Sequence, residues 1–258
     1  MKKYFLLTLI LFFSISLSGQ DKVVLRQTFI KVKPGNNYAE DLKTKFGKMA
    51  QKRIDAGYQQ GWHLWEVVAN PQAPFTHMIV EPMLLSQMEK ERSSEGWIKM
   101  RNDAVPGMTD SDWTAFMDGV REKREIVAEA FFMPVKDIKR DENVNLPDDI
   151  GVVNWMKVKE GKFKTYEKME KDLYVNGLNK KGLRTGWSLA KRIDKVGVDV
   201  YWNYFTVDWF SKFSDVIKTR ANTPSWDANK SYQTMLNIRD LRESVIIRKV
   251  TMLSLIHI

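Results

Sequence analysis

The chain contains no cysteine and only three histidines. Without thiols it forms no disulfide, no iron–sulfur cluster, no Cys-type zinc site and no thiol nucleophile. Disulfides staple small exported domains that cannot build a core, and 258 residues are long enough to bury two cores without them. A phosphate-binding loop is missing too, because no glycine pair here precedes the Lys-Ser/Thr that such a loop needs. The formal charge of +9 is spread along the chain, with no basic stripe interleaved with aromatics. That distribution speaks against nucleic acid as a partner. It leaves a basic solvated surface, with weak attraction to anionic surfaces or acidic ligands.

Residues 1–20 read as a secretory signal peptide. Lys2 and Lys3 are the positive start, residues 4–17 the apolar centre, and Ser18-Gly19-Gln20 the small-residue exit. The apolar run is short for a membrane span and no charged stop-transfer segment follows. No cysteine follows it, so no lipoprotein anchor is expected. The expectation is an exported protein, periplasmic or extracellular, with no membrane anchor after cleavage. Cleavage would remove two lysines and leave +7. At the other end, residues 253–258, Leu-Ser-Leu-Ile-His-Ile, are what the bases CTGTCTCTTATACACATC encode, the end of a transposon adapter used in sequencing libraries. This tail is therefore set aside from fold reasoning, and with it His257, leaving His63 and His77.

What is present is a repeat. Lys31-Val32-Lys33-Pro34-Gly35 returns as Lys157-Val158-Lys159-Glu160-Gly161. Gly57-Tyr58-Gln59-Gln60-Gly61-Trp62 returns as Gly182-Leu183-Arg184-Thr185-Gly186-Trp187, and Arg121-Glu122-Lys123-Arg124-Glu125 as Arg239-Asp240-Leu241-Arg242-Glu243. Matches in the same order signal a duplicated unit. The offset falls from 126 to 125 to 118 along the chain, so copy 1 is longer before its last motif. The extra length falls around residues 93–110, where Ser93-Ser94-Glu95-Gly96 and Pro106-Gly107 read as loop.

Each copy reads β-α-β-β-α-β. In copy 1 the strands are 23–32, 61–70, 75–81 and 125–135. The first helix, 38–56, carries Tyr38, Leu42, Phe46, Met49 and Ala50 on one face and stops at Gly57. Residues 84–101 and 110–121 also read as helix, the second capped by Thr109 or Asp110. Copy 2 has strands 152–158, 187–193, 198–208 and 244–252, and helices 163–179, 209–220 and 226–239. Residues 136–150 are polar, contain Asn143, Asn145 and Pro147, and read as the connection. The domains are thus a leader 1–20, repeat 1 over 21–137, a linker 138–150, repeat 2 over 151–252 and the tail 253–258.

A β-α-β-β-α-β unit is the ferredoxin-like split βαβ. Its strands are apolar on both faces, so the sheet face not covered by helices must also be buried. Two tandem ferredoxin-like units can press those faces together. The chain resembles the dimeric α/β-barrel superfamily, an α+β fold, here as a single-chain pseudo-dimer. That resemblance implies an α/β barrel. It admits small monooxygenases, isomerases, haem-degrading enzymes and chlorite-dismutase-like haem proteins, and the fold does not choose among them.

The candidate site residues sit on copy 1. His63 and His77 lie on its two central strands, and with Glu81 they would form an acid–base or metal cluster if they share a face. The plainer alternative is two singly satisfied histidines. Ser188 and Asn203 stand opposite them in copy 2, so the scaffold requires neither ring. No metal motif is present, and no cofactor is expected. Haem, which would need one axial histidine in a large apolar cavity, is the exception held open. Trp65, Trp155 and Trp202 are the candidate walls of a pocket for a small apolar or aromatic ligand, because their counterparts (Ala190, Phe29 and Phe75) differ. Trp62 and Trp187 recur in both copies after a turn glycine and read as packing. Arg124-Glu125 and Arg242-Glu243 read as matching salt bridges, and Glu81 and Asp208 as matching caps of the helices that follow. The functional expectation is small-molecule binding in an aromatic pocket. The alternative is a cofactor-independent monooxygenase or isomerase, or a haem-handling enzyme.

Overall fold

A computed structural model describes residues 21–90, 93–140, 146–177, 182–222 and 230–254. The leader and residues 255–258 of the tail lie outside the described residues. Leu253 and Ser254, set aside above, pair with Trp62 and Gly61 at the end of the last strand.

The order within each copy is the expected one. Copy 1 has β1 (Val23–Val32), α1 (a helix with a π turn, spanning Tyr38–Asp41, Leu42–Phe46 and Gly47–Asp55), β2 (Gly61–Val68) and β3 (His77–Leu84). Then come α2 (Leu85–Met88), α3 (Ser94–Ala104), α4 (Asp110–Lys123) and β4 (Arg124–Lys139). Copy 2 has β5 (Ile150–Val158), α5 (Phe163–Gly177), β6 (Gly186–Arg192), β7 (Tyr204–Phe210), α6 (Phe213–Ala221), α7 (Lys230–Leu236) and β8 (Arg239–Ser254). Among the described residues no helix is long and apolar enough to cross a membrane.

All pairing is antiparallel, and the strands close into one barrel in the order β1-β3-β2-β8-β5-β7-β6-β4. Each copy supplies a four-stranded sheet, β4-β1-β3-β2 or β8-β5-β7-β6. The sheets do not merely face each other, because their edges are joined. The device is the 16-residue last strand of each copy. β4 pairs first with β1 of its own copy and then, from Phe132 to Lys139, with β6 of the other. β8 does the same with β5 and then β2. A closed barrel leaves no unpaired strand edge to template aggregation.

Several boundaries differ from the sequence reading. Ser93 begins a helix instead of a loop. Its side chain accepts the Gly96 N–H at 3.0 Å, so the Ser-rich stretch is an N-cap. Thr109 and Asp112 form a reciprocal capping box on α4. Residues 136–139 are strand, not linker, since they pair with β6. Trp209 and Phe210 end β7 instead of starting a helix. Residues 198–203 precede β7 as a loop, with Val198 73% and Tyr201 59% exposed. The last repeat motif also slips. Arg124 pairs opposite Val32 and Arg239 opposite Val158, so Arg124-Glu125 corresponds to Arg239-Asp240. The copy-2 segment holds an Arg-acid pair twice, and the sequence match took the second.

Gly35 and Gly161, matched in the two copies, both take positive φ, +81° and +76°. This left-handed turn favours glycine and explains why both copies keep one there.

The barrel has apolar layers on both sides of its wall. Outside, Ile30, Tyr38, Leu42, Ile54, Trp62 and Leu64 pack the copy-1 sheet against its helices. Met156, Tyr166, Trp187, Leu189 and Tyr204 do so in copy 2. Trp62 and Trp187, 4% and 0% exposed, are the packing residues that their recurrence suggested. Inside is the third layer, which holds the candidate site.

Candidate functional site

Alternation along each strand decides which side chains enter the barrel. β1 sends in Leu25, Gln27 and Phe29, β2 sends in His63, Trp65 and Val67, and β3 sends in Met78, Val80 and Pro82. Copy 2 contributes Val153 and Trp155, then Ser188 and Ala190, then Phe205, Val207 and Trp209, with Val245 and Ile247 from β8. Successive strands run up and down around the ring, so β1 and β5 start at the same end.

The two ends are filled differently. Where β1 and β5 finish, aromatic rings plug the barrel. Trp155 meets Phe29 and Phe75 edge-on, with centroids 5.6 and 5.5 Å apart. Trp202 stacks on Phe132 at 5.6 Å, and the Arg192 guanidinium lies 4.2 Å over its ring. Where β1 and β5 start, the interior opens into a cavity of about 510 Å³. Its walls are mostly apolar, including Leu25, Trp65, Val80, Val153, Phe205 and Trp209, and Leu146 and Pro147 of the connection lie against it. Gly151 is needed here. A Cβ on it would fall 2.9 Å from Val207 and 3.0 Å from the Trp209 ring, so the indole occupies the space that a side chain would take.

The polar groups of this lumen are few. His63 is one. Burial pushes its imidazole down to about 4, and the nearby Lys249 ammonium acts in the same direction. The ring is therefore neutral at neutral pH, with one donor and one acceptor nitrogen. Gln27, 2% exposed, is another. Ser188, the copy-2 counterpart of His63, accepts the Trp209 indole N–H at 2.8 Å. Asp137 stands exposed at the rim, opposite Ser188.

The proposed cluster of His63, His77 and Glu81 does not assemble. His77 and Glu81 lie on the outer face of β3, alternating with Met78 and Val80, which point inward. The His77 Nδ1 is 3.1 Å from the Thr76 hydroxyl, and its ring meets Tyr38 edge-on at 6.0 Å. Burial lowers its pKa, while Glu66 opposes this. Glu81, 6% exposed, accepts Arg53 Nη1 at 2.8 Å and lies 3.5 Å from Arg26. It ties α1 to the sheet and does not cap a helix. Asp208, its copy-2 match, likewise faces Arg184 at 3.3 Å. Among the described residues no three His, Asp or Glu stand together as a metal site.

The copy-2 partner of His77 is also corrected. Phe29 pairs with Met78 and Trp155 with Phe205, which makes Tyr204 the match of His77 and Asn203 the match of Thr76. Of the three tryptophans expected as pocket walls, Trp65 lines the open lumen, with its centroid 5.5 Å from that of Trp209. Trp155 and Trp202 belong to the plug. Sequence reasoning missed Gln27, and it set Trp209 at a helix start instead of among the preferred pocket walls. Gln27 was visible as the one polar residue in the alternating row Leu25, Gln27, Phe29.

A haem in this lumen would take His63 as its axial ligand. The His63 Nε2 stands 3.1 Å from the place a Cβ on Gly61 would occupy. The ring thus lies beside Gly61 on its own strand, among the residues that line the cavity.

A second cavity of about 370 Å³ lies outside the barrel among α1, α3 and α4, walled by Trp62, Trp97, Trp113, Met117 and Arg53. Trp62 is in its wall, and it contains none of the candidate site residues read from the sequence.

No family model matches the chain, and no curated protein does. Solved structures do match. A proposed monooxygenase of Lactobacillus acidophilus superposes over 91% of this chain and 97% of its own, with TM-score 0.54 and 10% identity. A proposed monooxygenase of Fusobacterium nucleatum covers 92% and 96%, with TM-score 0.53 and 10% identity. An anthrone oxidase-like protein covers 91% and 94%, with TM-score 0.52 and 11% identity. At such identities the likeness is one of fold. The closed eight-stranded ring, the duplicated β-α-β-β-α-β order and these superpositions together give the chain the dimeric α/β-barrel fold, with both halves of the pseudo-dimer in one polypeptide.

Proposed function

We propose that the protein binds a flat, largely apolar small molecule in the open half of the barrel lumen. The observation that carries this is the lumen itself, about 510 Å³ of mainly aliphatic and aromatic wall with a few polar groups. Ligand pockets have that size and make-up, roughly 300–1,000 Å³ with sparse, placed polar atoms. Neutral His63 offers a hydrogen bond without the cost of burying a charge. A base whose conjugate acid has a pKa of about 4 is weak at neutral pH, so binding is better supported than proton abstraction. Equilibrium dialysis with 2-naphthol tests the reading. Saturable binding to the wild type that is lost when Trp65→Ala removes the wall supports it. No binding by any small arene refutes it.

The second reading is cofactor-independent oxidation or isomerisation of such a ligand, and the names of the structural neighbours favour it. In this reading the substrate itself supplies electrons to dioxygen, and the His63 imidazole accepts the substrate's proton. Oxygen uptake with an anthrone, abolished by His63→Gln, would support it. No uptake at any pH would remove it. The leader supports export, which N-terminal sequencing of the mature protein tests. A first residue of Met1 would contradict it.

A further inference from the structure

The lumen is chemically lopsided. The Gln27 Oε1 is buried and has no hydrogen-bond partner among the described residues. Gln27 pairs with Val80, and Val80 pairs with His63, so the amide and the imidazole lie in one row across β1, β3 and β2. Both line the same cavity. The corresponding positions in copy 2 are Val153, with no polar atom in its side chain, and Ser188, whose hydroxyl oxygen accepts the Trp209 indole N–H. The opposite wall is mostly apolar, with Val153, Phe205, Val207 and Ile247 beside Ser188. A buried amide oxygen is costly unless something donates to it. A duplicated scaffold does not need it, because the copy-2 barrel position holds valine.

We infer that the ligand is a fused aromatic molecule carrying oxygen substituents along one edge, and that Gln27 is the residue that selects for them. The inference rests on the lumen reading above. The unsubstituted edge lies against the copy-2 wall. The oxygenated edge faces copy 1, where one hydroxyl donates to Gln27 Oε1 and the second meets His63. The Trp65 and Trp209 rings, in contact at 5.5 Å, together form the wall that one flat face packs against.

Three probes separate the terms: naphthalene, 2-naphthol and 2,3-dihydroxynaphthalene, dialysed to equilibrium under nitrogen against the full chain. The wild type is expected to bind the diol roughly ten- to a hundredfold more tightly than naphthalene, the value of one or two well-placed hydrogen bonds. Gln27→Leu should erase most of that preference while naphthalene binds as well as before or better. Gln27→Met, closer in length, repeats the comparison if the leucine variant does not fold. Equal affinity of the wild type for naphthalene and the diol overturns the inference and leaves the lumen reading standing. A preference that survives in both variants does the same, since Gln27 is then satisfied by water and plays a structural part. Failure of all three arenes to bind overturns the lumen reading and this inference with it.

Discussion

Thr76 and Asn203 do the same work in the two halves of the barrel. The Thr76 hydroxyl accepts the Val32 N–H at 2.9 Å, and the Asn203 side-chain oxygen accepts the Val158 N–H at 2.7 Å. Each side chain thus satisfies the last amide of its copy's first strand, just before the third strand begins. Asn203 returns a second bond to the Val158 carbonyl at 2.9 Å. The pair shows a duplicated backbone need met by two different side chains.

Thr76→Val keeps the shape and removes the hydroxyl, leaving the Val32 amide without its acceptor. We expect a loss of about 1–3 kcal/mol in urea unfolding. Thr76→Ser should recover most of it. A variant as stable as the wild type would show that water replaces the hydroxyl there.

His63 makes the fold acid-sensitive in a defined window. Its folded pKa, about 4, lies below the unfolded value of 6.5, so the protonated ring favours the unfolded chain. The stabilisation is complete above pH 6.5, is lost as pH falls through 4, and does not change further below that. A shift of this size corresponds to at most ~3 kcal/mol. The difference in unfolding free energy between wild type and His63→Phe, measured from pH 8 to pH 3.5, should change between about 6.5 and 4. A constant difference would mean that the ring is solvated.

Glu170 gives the opposite slope. It is 1% exposed, and burial raises its carboxyl to about 7, against the pull of Arg239. A raised carboxyl contributes stability below its unfolded pKa, and that stability is lost as pH rises toward 7. Glu170→Gln should flatten the profile between pH 4.5 and 7, and thermal melts across that range check it. A variant whose melting temperature still falls over that interval would contradict the assignment.

The plug and the lumen should separate by mutation. Trp155, 1% exposed among Phe29 and Phe75, is core. Trp155→Ala should cost about 3–5 kcal/mol. Trp155→Phe should keep the fold and leave 2-naphthol affinity within about twofold. Trp65→Ala should instead weaken naphthol binding at a stability cost that leaves the protein folded. A Trp155→Phe variant that lost binding would put the ligand in the plug.

The duplication, the strand order and the outward packing of Trp62 and Trp187 were legible because repeats and periodicity are local signals. The faces of His63 and His77 were not. Each strand alternates, and a one-residue slip of register exchanges inside for outside. The registers His63 with Val80 and Glu66 with His77 exist only once the strands pair. The end of β7 was misread because Trp209-Phe210 runs into α6, and Lys212 at that helix start makes no side-chain cap. The strand 136–139 looked like linker because its Lys-Asp-Ile-Lys is charged. Pairing with a strand 53 positions later, Lys136 opposite Leu189 (189 − 136), is not written in local composition. Gln27 was readable in principle, as a polar residue on an inward row, but nothing in the sequence says that its partner side becomes a cavity.

The central claim is that the open half of the lumen is the binding site. Ala190 faces it at the copy-2 position equivalent to Trp65 and is 2% exposed. Ala190→Phe fills the cavity while leaving the outer pocket at Trp97 untouched. The decisive measurement is the dissociation constant of 2-naphthol by equilibrium dialysis for wild type, Ala190→Phe and Trp97→Ala, each confirmed folded by circular dichroism. The account predicts at least roughly tenfold weaker binding for Ala190→Phe and no change for Trp97→Ala. Undiminished binding in Ala190→Phe, or its loss in Trp97→Ala alone, would contradict it and place the ligand outside the barrel.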